Sequence, residues 1–150
     1  MRNSVIGAAA LGVLVAVAAL SAIALTRETG RVAAIWPVNA LILAAVLVRP
    51  RRERLGLLIA AGVGNSVANL AAGDEAVRAV LLAACNLLEV AVAMLLVGRR
   101  GAVRFMRRSG LFRFGGAAVA ACVVSTAAAV GSLALTGAAA PWRAAEPWLA

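Results

Sequence analysis

Five apolar runs divide this chain, and short polar or arginine-rich segments separate them. The runs extend from Val5 to Leu25, Val32 to Val48, Leu55 to Ala72, Ala79 to Val97 and Phe114 to Leu135. A bilayer core is about 30 Å thick and takes about 20 helical residues to cross, so runs of this length predict transmembrane helices. The fold class expected is all-α, a polytopic transmembrane helix bundle with five full spans. Pro141-Trp142 and Pro147-Trp148 then read as an interfacial turn leading into the start of a sixth. Residues 1–150 form one domain, which on this reading is truncated at its carboxy end. The first run is longer than a signal-peptide core and is read as a retained span, although Ala22-Ile23-Ala24 has the small-residue pattern of a cleavage site.

The polar residues inside these runs are few. The fourth run carries Asn86 and Glu89, three residues apart and so on one helix face, with Glu89 about 13 Å from the arginines that follow. An ionisable group at that depth costs several kcal/mol unless it is protonated, paired or beside a wet cavity. The third run carries Asn65 and Asn69, spaced by four on one face, together with Ser66. Near the start of the second run stands Trp36-Pro37-Val38-Asn39, where Trp suits the headgroup region and Pro the first helical turn. These residues are expected to converge on one polar pocket reached from outside the cell. The plainer reading is that each amide only bridges neighbouring helices.

Composition sharpens this picture. The chain of 150 residues is 64% hydrophobic and only 14% charged, far from the balance of soluble domains. The net charge of +9 would suggest nucleic acid in a soluble protein, but here the arginines sit between apolar runs and report topology, so no nucleic-acid partner is expected. Arg2, the loop from Arg49 to Arg54 and the segment from Arg99 to Arg113 hold eleven of the fifteen basic residues, which places them and the amino terminus in the cytoplasm of an inner-membrane protein. The segment from Arg99 to Arg113, with Phe105, Met106 and Phe112 interleaved, reads as an amphipathic connection lying against anionic lipid.

Histidine is absent, which excludes a histidine-ligated haem, a His-rich metal site and a phospho-accepting histidine within these residues. Cys85 and Cys122 both fall inside predicted spans and read as small packing residues. Gly12 and Ala16 offer a small-residue face for helix packing, and close packing is also the ordinary reason for Gly62, Gly64, Gly115 and Gly116. Ser125 and Thr126 are expected to bond back to their own helix carbonyls. With no nucleophile and base pair, metal constellation or phosphate-cradling loop, no enzyme, metal site or cofactor is expected.

Taken together, Ile35-Trp36-Pro37-Val38-Asn39-Ala40-Leu41, the basic turn after it, Gly64-Asn65 with Asn69-Leu70, and Asn86-Leu87-Leu88-Glu89 resemble the membrane-associated sensor domain family of the first type (MASE). Trp142 and Trp148 fit its later aromatic turn. The resemblance implies an integral sensory module of about eight spans, joined in the full-length protein to a cytoplasmic histidine kinase or a GGDEF or EAL domain of cyclic di-GMP turnover. Its characteristic positions here are Trp36, Pro37, Asn39, Asn65, Asn69, Asn86 and Glu89. The partners it implies are membrane lipid, an unknown small-molecule ligand and that output domain, with a second copy of the chain as a further candidate. A rival reading is a small transporter or channel component with Glu89 as a proton or cation relay, typical of intramembrane carboxylates. Against it stand the absence of a convincing inverted repeat and of a second buried acid.

Overall fold

The structure, a computed structural model, describes residues 2–26, 37–98 and 108–135. These form five α-helices: α1 (Arg2–Thr26), α2 (Val38–Leu47), α3 (Arg51–Ala71), α4 (Ala76–Gly98) and α5 (Arg108–Leu135). Four of them, α1, α3, α4 and α5, are long and apolar enough to cross a membrane. The described part of α2 has ten residues and would extend only about 15 Å.

Two boundaries differ from the sequence reading. The basic loop after the second run is mostly helix, because α3 begins at Arg51, directly after Pro50. Pro50 stands at the cap with an extended ψ of 146°, and its carbonyl accepts from the Glu53 N–H at 2.9 Å. Proline has no N–H to lose at a helix start. Glu53 suits the positive end of α3 and lies 3.8 Å from the Arg49 guanidinium, while Arg54 Nε donates to the Arg49 carbonyl at 3.2 Å. The amphipathic connection is shortened in the same way, since residues 108–113 are the first turns of α5; residues 99–107 lie outside the described residues.

The turn from α3 to α4 follows from one glycine. Gly73 has φ +90°, its N–H bonds the Leu70 carbonyl at 3.0 Å, and the Asp74 N–H bonds the Asn69 carbonyl at 3.0 Å. This is a Schellman closure, which favours glycine at the left-handed position. Asp74 is buried beneath the turn, 3.6 Å from the Arg78 guanidinium. The turn therefore fixes where α4 starts relative to the last polar residue of α3.

Helix α1 packs chiefly on α3, α4 packs on α5, and α3 joins the two pairs by packing on α4. Helix α2 touches α1, α3 and α4. The core between them contains Val15, Ala19, Val38, Ile42, Ala61 and Val90, while large apolar side chains such as Val13, Ile59, Val63 and Val119 face outward. A helix apolar on all sides is the pattern of a membrane span. The seam of α1 and α3 is very close: a Cβ added at Gly12 would stand 2.9 Å from the Ala60 carbonyl oxygen, and one added at Gly64 would collide with the carbonyl oxygen of Gly12. Gly12 and Ala16 thus do pack as the small-residue pattern predicts. Gly115 and Gly116 do not, for a Cβ at either would meet nothing among the described residues within 4 Å. Among the described helices α5 packs on α4 alone, and 17% of its span is buried, against 28–33% for the other three.

Candidate polar site between α2, α3 and α4

Pro37 precedes α2, and its carbonyl accepts the Leu41 N–H at 3.2 Å, so the predicted helix start is where proline suits it. Asn39 follows in the first turn and is buried. Its Nδ2 donates to Asn86 Oδ1 of α4 at 3.3 Å. Two amides from separate runs thus meet directly, α2 to α4. Trp36, Trp142 and Trp148 lie outside the described residues.

Asn65 and Asn69 are both buried on α3. Asn69 Nδ2 donates to the Asn65 backbone carbonyl at 2.9 Å and to Asn65 Oδ1 at 3.1 Å. The direction of Asn65 can be read from α3 itself. Leu87 of α4 stands over Gly62, with its Cδ1 2.8 Å from where a Cβ would be, whereas Gly64 lies against α1. At about 100° per residue, Asn65 falls on the arc between those two contacts. The other arc carries Ile59, Val63, Val67 and Leu70, all exposed. Helix α2, which touches α1, α3 and α4, therefore occupies the side that Asn65 faces.

Glu89 goes elsewhere. It projects from nearly the opposite side of α4 to Leu87, and its Oε1 accepts from Cys122 Sγ of α5 at 3.5 Å. Four residues before it, the Cys85 carbonyl accepts from Ser125 Oγ at 3.0 Å. Ser125 thus bonds across to α4 instead of back to its own helix, since its hydroxyl faces the α4 backbone at the seam. Both cysteines are free thiols. The amides thus lie between α2, α3 and α4, and the carboxylate lies in the α4–α5 seam. The sequence signal for this second seam is the spacing of four from Cys85 to Glu89 and of three from Cys122 to Ser125, each of which puts its pair on one helix face. Among the described residues no group of three His, Cys, Asp or Glu side chains is placed to hold a metal ion.

The family model for MASE1 matches residues 7–150. The chain belongs to the MASE1 family. MASE1 domains are membrane sensory modules, usually linked to signalling domains. No curated protein and no solved structure matches the chain. For a MASE1 domain the chemistry on view is that of neutral hydrogen bonding: two amide pairs, one spanning helices and one along a helix, held in an apolar bundle. An amide removed from water gains from any partner that completes its hydrogen bonds.

Proposed function

We propose that this MASE1 domain is the receptor part of a signalling protein: a small solute, or a change in the membrane, engages the polar layer of Asn39, Asn65, Asn69 and Asn86 and alters how α2 sits against α3 and α4. The domain would have no enzymatic activity of its own and would pass the packing change to a cytoplasmic histidine kinase or GGDEF or EAL domain. The observation that carries the reading is the hydrogen bond between Asn39 and Asn86. It joins the short helix to the bundle through groups that a polar ligand can compete for. Signalling requires that the ligand bind one packing better than the other, since equal affinity shifts nothing.

The topology proposed has the amino terminus in the cytoplasm of the inner membrane, from the arginine asymmetry. Helix α2 with the residues ahead of it completes a fifth span, and the aromatic segment after Leu135 begins a sixth. The polar layer then opens outward. Glu89, in its own seam with Cys122, tunes the packing of α5 on α4 instead of contacting the ligand.

Thermal unfolding of the purified chain in lipid nanodiscs, with small solutes added singly, tests this. A sensed solute raises Tm in the wild type and fails to do so in Asn39→Leu and Asn86→Leu. Shifts that survive in both variants would move the sensory site out of this layer, and passage of labelled solute or protons into vesicles holding the chain would favour the transporter reading.

A further inference from the structure

Two buried atoms of this layer have no hydrogen-bond partner among the described residues: Asn39 Oδ1 and Asn65 Nδ2. Asn39 is 7% exposed and Asn65 1%, so bulk water does not reach them in this packing. Their chemical senses are opposite. Asn69 Nδ2 donates to a backbone carbonyl of Asn65, an unambiguous acceptor, and the same Nδ2 meets the near atom of the Asn65 amide. That near atom is therefore the oxygen, which leaves the Asn65 amide nitrogen facing away as a free donor. Asn39, donating through Nδ2 to Asn86, keeps its oxygen as a free acceptor.

The two residues also stand at similar depth in the bundle. Asn39 is level with Asn86, and Leu87, the next residue of α4, lies over Gly62 of α3. Asn65 is three residues beyond Gly62, about 4.5 Å along the axis, and it faces the side where α2 sits. Each atom left unpaired forfeits the hydrogen bond it would make in water, and a single molecule able to give one hydrogen bond and take one would restore both. Charge would not suit the place. The buried polar side chains of the described residues are Asn39, Asn65, Asn69, Ser125 and Asp74, and the one acid among them belongs to the α3–α4 turn beside Arg78. A bare ion in the layer would find no counter-charge.

We infer that Asn39 and Asn65 hold between them one small neutral molecule through a hydroxyl, which donates to Asn39 Oδ1 and accepts from Asn65 Nδ2; the hydroxyl belongs to water or to a small polyol. This rests on the receptor reading and narrows its ligand to neutral hydroxyl compounds.

The test is nuclear Overhauser transfer to the Asn65 side-chain amide protons in the perdeuterated chain, held in deuterated nanodiscs, with the signal assigned by its loss in Asn65→Asp. Transfer from water, or from the C–H protons of added protonated glycerol, is the expected result, and the source of the transfer says which hydroxyl is held. Asn39→Leu, which keeps the amide of Asn65, is expected to reduce the transfer at least fivefold. Transfer from neither source, or transfer unchanged in Asn39→Leu, overturns the bridge. If that happens while a charged solute still raises Tm through Asn39 and Asn86, the receptor reading stands and only the neutral hydroxyl ligand falls.

Discussion

The two outer seams of this bundle, α1 on α3 and α4 on α5, both bury small residues but differ in what else crosses them. Between α1 and α3 the side chains have been removed: Gly12, Ala16, Ala60 and Gly64 let the two backbones touch. Between α4 and α5 small residues are buried too, Ala117 and Ala121, but polar side chains also cross, with Cys122 giving to Glu89 and Ser125 giving to the Cys85 carbonyl, while Gly115, Gly116 and Gly131 of α5 meet nothing among the described residues within 4 Å. A backbone contact has a single depth and tolerates no added atom. Hydrogen bonds of thiol and hydroxyl groups can lengthen or exchange partners at a cost of about 0.6–2 kcal/mol. The difference teaches which parts of the bundle can move: α1 and α3 form a fixed pair, and α2 and α5 are each bonded to α4 by contacts that chemistry can compete with.

The contrast can be broken most decisively at Gly64. Gly64→Leu puts a branched side chain where even a methyl group would meet the Gly12 carbonyl, so a loss of about 3 kcal/mol or more is expected. Reversible unfolding of the purified chain in mixed micelles would measure it. If Gly64→Leu is as stable as the wild type, the α1–α3 seam is not the fixed element. Next in size are Asn86→Leu, expected to destabilise by about 1–2 kcal/mol because buried Asn39 is left without its partner, and Asn39→Leu, expected to cost about 1 kcal/mol because the amide left behind, Asn86, is half-buried. The double variant should cost less than the sum, since the second change removes the orphan that the first created; a double-mutant cycle reads this directly.

Smaller effects are expected at the polar seam. Ser125→Ala removes one hydrogen bond to a helix carbonyl and should cost about 0.6 kcal/mol. A loss above about 2 kcal/mol in the same unfolding assay would make the α4–α5 seam as rigid as its counterpart. Gly62→Ala should stay within about 1 kcal/mol, because the atom it meets is the far end of the Leu87 side chain, which can rotate away. Gly116→Ala sharpens the comparison from the other side. With open space around it, the change should lie within about 0.5 kcal/mol, and a larger loss would mean that another helix covers this face of α5.

Much of the bundle can be read from the runs themselves. The extents of α1 and α4 follow from hydropathy within about three residues, and Gly73 marks the turn between α3 and α4 where the chain needs a left-handed residue. Helix starts within charged segments are harder to see. Arginine at Arg51, Arg52 and Arg108 looks like loop when hydropathy alone is counted, yet a helix can carry its charges into the interface as easily as a loop does. Pro50 was the better guide to the start of α3, because it fixes the entry geometry whatever follows.

The candidate site was legible as a set of residue types and only partly as a set of contacts. Asn39 and Asn86 meet, as two amides at matching depth on neighbouring spans should, because lipid offers no alternative partner. Three-residue spacing puts Glu89 on the same side as Asn86, but a face some 60° wide is broad enough to serve two neighbours, and the carboxylate meets α5.

What the sequence by itself determined is the class of the protein and its inventory of polar groups in the membrane: apolar runs of bilayer length must become helices, because no other backbone arrangement hides its own hydrogen bonds within a single segment. Which groups become partners was left to tertiary structure. Periodicity names the face of a helix but not the neighbour that occupies it, and here the neighbours were chosen by how closely the backbones approach. The contact of Gly64 with Gly12 set α1 on α3, α2 filled the side that Asn65 faces, and α5 was left to take Glu89.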